Sequence, residues 1–211
     1  MTDNFDRITE YFRSFGKLPE KVTEHNDYFF DVLILRRGKD HPELPAANYT
    51  YGHYYYDNIE RFVRCQPDIK KMCEMFKSRA YVSATLKSKE MLMKQIMCSA
   101  ATIINNGGET LPWNIVGHSC DIMRVRDKRW VVDVDNTAEG SDNFNKICEI
   151  IRQCDSEYED PIITTMPTKS GVHLITHPFN LQQFNDRARI AKIDDVPEVK
   201  KNHITLLYEN V

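Results

Sequence analysis

The sequence predicts an α+β protein, with sheet strands backed by helices, on three observations. Apolar patterns of strand period and of helix period alternate along the 211 residues. The stretch after Arg129 follows the order strand, helix, strand, strand, and polar turns bound the short apolar runs. At 41% hydrophobic and 28% charged residues, the composition is that of a globular chain long enough to bury a core. One domain over 1–211 is the expectation. A subdivision near Asn106–Trp113 would leave an N-terminal α/β subregion, 1–108, and a second subregion, 109–211.

In chain order, Phe5, Ile8, Phe12 and Phe15 form the stripe of a first helix, and Phe29–Leu35 has the makeup of a buried strand. Arg36–Pro45 is a polar turn or excursion, while the tyrosine-rich Tyr49–Tyr56 fits either a strand or a stacking surface. Helical periodicity runs from Asp57 to Phe76 with a break expected at Pro67, because proline suits the first turn of a new helix. Arg79–Leu86 alternates as a strand does. Ser88 can cap the helix that follows, where Leu92, Ile96, Met97, Ala100, Ile103 and Ile104 recur, and Asn105–Gly108 ends it. Pro112–Arg129 is expected to be a connection with a short strand at Ser119–Val125. Then come a strand to Asp135, a helix through Phe144, Ile147, Ile151 and Cys154, and strands at Ile162–Met166 and Gly171–Thr176. A helix at Leu181–Ile190, an acidic turn at Asp194–Asp195 and a strand at Ile204–Tyr208 complete the order.

No apolar run approaches the ~20 residues that span a bilayer, and the start lacks the order of a signal peptide, so a cytoplasmic protein with no membrane partner is expected. A net charge of −3 excludes a protein that coats nucleic acid through a global positive field. Six cysteines without a Cys-x-x-Cys pair read as buried thiols in a reducing compartment.

Chemistry concentrates in Trp130-Val-Val-Asp-Val-Asp135. Side chains alternate on a strand, so Asp133 and Asp135 share a face with Val131, opposite Val132 and Val134. Two carboxylates at the end of a buried strand repel unless a cation lies between them, and oxygen donors favour Mg²⁺ or Mn²⁺. Asp-Val-Asp-Asn is equally a turn that leaves a strand.

The second segment is Lys169-Ser-Gly-Val-His173. Lys169, the Ser170 hydroxyl and His173 are phosphate partners by chemistry, and Gly171 permits close approach of the backbone. A hairpin turn followed by a strand histidine is the plainer alternative, and His177, before Pro178, reads as structural.

In combination, Asp-x-Asp on a strand, then helix, strand, Lys-Ser-Gly and a strand histidine resemble the archaeo-eukaryotic primase superfamily, including the polymerase domain of bacterial DNA-repair ligases. The likeness spans Trp130–Phe179. It implies an RRM-like primase/polymerase palm core, a mixed or antiparallel sheet backed by helices, within 109–211 and preceded by an N-terminal α/β extension. It implies that Asp133 and Asp135 bind Mg²⁺ or Mn²⁺ and that Ser170, Gly171 and His173 hold the phosphates of a nucleoside triphosphate, with Lys169 added on electrostatic grounds. Asp133, Asp135 and His173 would be the catalytic set. The family pattern has one residue between serine and histidine, where Gly171 and Val172 both intervene here. It also has a third carboxylate on a later strand, for which Asp194 and Glu209 are the candidates.

The resulting expectation is a DNA-directed nucleotidyltransferase that uses a DNA or RNA primer-template and a partner replication protein. Tyr49, Tyr51, Tyr54, Tyr55 and Tyr56 would stack on bases, and Arg36, Arg37, Arg79 and Lys87 would meet phosphates, unless these residues only pack and solvate the surface. The alternatives are a non-catalytic nucleic-acid-binding protein of the same fold and another Mg²⁺-dependent transferase of nucleotides or nucleotide sugars.

Overall fold

The computed structural model describes residues 1–21, 26–43, 48–112 and 114–210. Part of the polar excursion expected at 36–45, residues 44–47, and Trp113 of the connection lie outside the described residues. The chain runs β1 (Thr2–Asp3), α1 (Phe5–Ser14), β2 (Tyr28–Arg37), β3 (Asn48–Tyr56), α2 (Ile59–Met75), β4 (Arg79–Ser83), β5 (Lys87–Ser88) and α3 (Lys89–Asn105). It continues through α4 (Ile115–Ile122), β6 (Trp130–Asp135), α5 (Asp142–Arg152), β7 (Ile162–Pro167), β8 (Gly171–Thr176), α6 (Leu181–Ile190), β9 (Glu198–Lys201) and β10 (Ile204–Glu209). This is an α+β architecture, as the alternating periodicities predict.

Two antiparallel sheets organise it. The first has the order β1-β10-β4-β2-β3, with β5 also paired to β2; the second has the order β7-β8-β6-β9. The division at 108/109 does not follow the sheets, because β10 crosses back to pair with β1 and β4. A subregion of 109–211 therefore lends its last strand to the N-terminal sheet.

Burial explains each layer. Phe5, Ile8 and Phe12 of α1 and Ile59 and Phe62 of α2 pack on Phe30, Val32, Ile34 and Val82, with the Phe12 and Phe30 rings stacked at 4.0 Å. Val131, Met166 and Ile175 bring one face of the second sheet into this same core. The other face, Trp130, Val132, Val134, Val172 and Leu174, packs against Phe144, Ile147 and Ile151 of α5 and Phe184 of α6. The alternation expected along β6 and β8 is thus what divides the two cores.

Four expectations need correction. Pro67 lies inside α2 without ending it: it is exposed, while Ile59, Phe62, Ile69 and Cys73 keep one buried stripe through it, and that packing outweighs the lost hydrogen bond. Ser119–Val125 is no strand, because Ser119 and Cys120 belong to α4 and, with Met123, form its buried side. Arg79–Leu86 is strand only to Ser83. Cys98 is exposed, although the six thiols are free as expected. The ends of α3 follow the sequence: Ser88 Oγ accepts from the Met91 amide, and Gly107 turns the chain with φ +83°.

Candidate functional site

Where β6 and β8 leave the shared core, their polar residues face a cleft between the two sheets. Its volume is about 440 Å³. Register places Asp133 opposite His173 on one side and opposite Glu198 of β9 on the other, so the three side chains form a row across adjacent strands. His173 Nε2 stands 3.2 Å from Asp133 Oδ1, an ion-pair contact outside hydrogen-bond directions, and the Thr205 hydroxyl of β10 meets Nδ1 at 2.9 Å.

Lys200 completes the row. Its Nζ donates to Asp133 Oδ2 at 2.7 Å and stands 3.3 Å from Glu198 Oε2. The close approach of His173 is the strongest influence on Asp133. Burial opposes it and Lys200 reinforces it, so the carboxyl is held well below its usual range. For Lys200, burial pulls the ammonium down, but Asp133 and then Glu198 more than offset this and raise it.

Lys169, Ser170 and Asp135 also line the cleft, all three exposed, with Lys169 and Ser170 in the turn between β7 and β8. That turn is tied by the Thr168 amide, which donates to the Gly171 carbonyl at 2.9 Å. Gly171 is glycine for a reason other than ligand approach: a Cβ there would stand 2.1 Å from the Val134 carbonyl oxygen of β6. Its small size lets β8 close on β6, which brings His173 to Asp133.

Sequence reasoning missed Glu198 and Lys200. The four-residue β9 carries three charges and one valine, so it lacks a hydrophobic run; only the alternation of Glu198 and Lys200 around Val199 hints at a strand. The two expected third acids lie elsewhere. Asp194 is exposed in the segment after α6 and does not line the cleft. Glu209 is buried in the first sheet, 2.9 Å from Arg79, an ion pair whose angle falls short of a hydrogen bond.

The opposite wall comes from the first sheet and includes Arg37, Arg79 and Tyr81. Arg79 Nε and the Tyr81 hydroxyl are buried without a hydrogen-bond partner among the described residues. Buried donors of this kind call for an acceptor, and an anionic ligand supplies one. Of the four basic residues expected to meet phosphates, Arg37 and Arg79 reach this wall. Arg36 instead donates to the Tyr51 hydroxyl at 2.7 Å, and Lys87 pairs with buried Asp31 at 2.7 Å. The tyrosines of β3 mostly pack: Tyr51 stacks on Phe76 at 4.3 Å, Tyr54 donates to Met72 Sδ at 3.0 Å, and Tyr56 is buried.

Oxygen donors of Asp133, Asp135 and Glu198, which line one cleft, suit a hard divalent cation in kind. Among the described residues, no group of three His, Cys, Asp or Glu side chains is drawn together as a ready cage, and Lys200 stands between Asp133 and Glu198. Comparison with protein-family models, with curated proteins and with solved structures finds no match to this chain.

Proposed function

We propose that this chain is a metal-dependent nucleotidyltransferase of primase-polymerase type, built on an RRM-like palm core, that binds a nucleoside triphosphate and a primer-template. The observation that carries the reading is the meeting of the two sequence segments: Asp133 and His173 stand 3.2 Å apart in a cleft that also takes in Asp135, Lys169 and Ser170. Two arginines and an orphaned tyrosine hydroxyl face them.

Each residue has a role that its place supports. Arg37, Arg79, Lys169 and Ser170 would hold the triphosphate through charge and hydrogen bonds. His173, fixed by Thr205, would meet a phosphate oxygen on the edge it now gives to Asp133. Asp133 and Asp135, with Glu198 as the third acid, would hold Mg²⁺ or Mn²⁺, which supplies charge neutralisation and activates a 3′-hydroxyl toward the α-phosphate. Lys200 would then leave Asp133. A partner replication protein would complete the assembly on nucleic acid.

The test is incorporation of a labelled nucleotide into a primed template with Mn²⁺. Asp133→Ala is expected to lower the rate at least about 100-fold, the size of a lost metal contribution of several kcal/mol. Equal rates in both proteins would remove Asp133 from the chemistry. A second reading, a non-catalytic nucleic-acid-binding protein, draws on one observation: Lys200 already neutralises Asp133 and Glu198 as a cation would. It predicts no Mn²⁺ uptake with or without nucleotide.

A further inference from the structure

A second cavity of about 520 Å³ lies on the same face of the first sheet as the cleft wall. Leu33, in its lining, is directly opposite Tyr81 of the cleft, and Ile204 precedes Leu206 of the cleft by two residues on β10. Two residues along a strand span about 7 Å, so the two spaces are neighbours on one surface. The outer side of this cavity includes Met123 and Val125, at and beyond the end of α4.

Its floor is charged and buried. Asp31, 1% exposed, has Oδ2 2.8 Å from His53 Nε2 and Oδ1 2.7 Å from Lys87 Nζ, the latter an ion pair outside hydrogen-bond directions. Beside them Thr85 is wholly buried, and its hydroxyl has no hydrogen-bond partner among the described residues. A network that served stability alone would gain by closing over that hydroxyl or by replacing it with a methyl. What the cavity offers is an ammonium with free N–H bonds and an unused hydroxyl at the base of apolar walls formed by Leu33, Met123, Val125 and Ile204. That combination fits a flat heteroaromatic ring with a carbonyl or ring-nitrogen acceptor on its edge.

We infer that this cavity receives a nucleobase of the nucleic-acid strand, from a nucleotide next to the one held in the Asp133 cleft. Lys87 and Thr85 meet the edge of the base, and the apolar walls cover its faces. The inference rests on the nucleotidyltransferase reading of the cleft and extends it to a second subsite.

The test uses the full chain with ¹³C-labelled methionine methyl groups and a fluorescein-labelled single-stranded decamer, as such and with a single abasic residue at each position in turn. The Met123 methyl resonance is expected to shift on binding, and one abasic position is expected to weaken binding about tenfold, the loss of one base contact. Thr85→Val, which leaves the charged pair intact and removes an unpaired buried hydroxyl, is expected to weaken the intact decamer three- to tenfold. Val125→Trp, at a partly exposed loop position, is expected to abolish the difference between intact and abasic decamers. Should the decamer bind while Met123 stays unmoved and no abasic position matters, the inference is overturned and the cleft reading stands. Mn²⁺-dependent binding of a fluorescent nucleoside triphosphate without decamer binding has the same consequence. Absence of both kinds of binding overturns the cleft reading together with the inference.

Discussion

The chain builds the same three-residue arrangement twice, once in each sheet. Asp31 lies between His53 and Lys87; Asp133 lies between His173 and Lys200. The distances match closely, 2.8 and 2.7 Å in the first and 3.2 and 2.7 Å in the second. Exposure separates them: the Asp31 side chain is 1% exposed and Asp133 19%, while Lys87 is 9% and Lys200 27%. A buried carboxylate cannot exchange its cation without a large desolvation cost, whereas one at the edge of a cleft can. Equal chemistry thus becomes a fixed tie across β2, β3 and β5 in one place and an exchangeable site in the other.

The comparison breaks most sharply on removal of charge. Asp31→Asn leaves Lys87 buried and unpaired and is expected to cost about 3–5 kcal/mol in urea unfolding. Asp133→Asn is expected to cost less, about 1 kcal/mol by the same measurement, since Lys200 at the cleft edge keeps water and Glu198 as partners. Similar losses in the two proteins would mean that burial does not distinguish the sites.

Next in size is Gly171→Ala. Its Cβ would meet the Val134 carbonyl at 2.1 Å, so β8 must shift from β6, with an expected loss of about 1–3 kcal/mol and a lower rate of nucleotide incorporation. A crystal structure of this variant with the Asp133–His173 distance unchanged would contradict the role given to the glycine. Lys200→Met should sharpen the contrast from the other side: with the competing ammonium gone, Mn²⁺ affinity without nucleotide is expected to rise about tenfold, or ~1.4 kcal/mol, by electron paramagnetic resonance titration. An unchanged affinity would mean that Lys200 does not compete.

The smallest effect is in acid. Burial alone would raise the Asp31 carboxyl, but the His53 hydrogen bond and the Lys87 charge overcome it and hold the group down to about 2. A depressed carboxylate stabilises the fold above its unfolded pKa of ~3.9, and this contribution is lost as pH falls from there toward about 2. Unfolding of Asp31→Asn should lack this part of the acid slope. His177 gives the opposite limb of interest: burial is the main cause that lowers its pKa, so protonation favours the unfolded chain as pH drops below ~6.5. His177→Phe should flatten stability just below that pH in thermal melts.

Legibility in the sequence followed burial on two sides. In β6 and β8 both faces are committed, one to each core, so the alternation of Val131 to Asp135 and of Val172 to Ile175 already indicates which side the aspartates and the histidine take. β9 is short and edge-placed, with a single valine, and therefore left no apolar pattern by which Glu198 and Lys200 could be found. The α4 segment misled for a related reason: Ser119, Cys120 and Met123 bury only one side of a short helix, too few positions to separate period 3.6 from period 2.

The sequence by itself determined the α+β class, the caps of α3, and the common face of Asp133 and Asp135, because these depend on local periodicity and backbone chemistry; that His173 joins that face came from the pairing of β6 with β8. Tertiary structure alone decided that β10 returns to the first sheet, which sets Arg37, Arg79 and Tyr81 across from those carboxylates. It alone placed Glu198 beside Asp133 and Lys200 between them. Strand order and burial depth arise from contacts between residues far apart in the chain, and they fix the ion pair of one Asp–His–Lys group while leaving that of the other exchangeable.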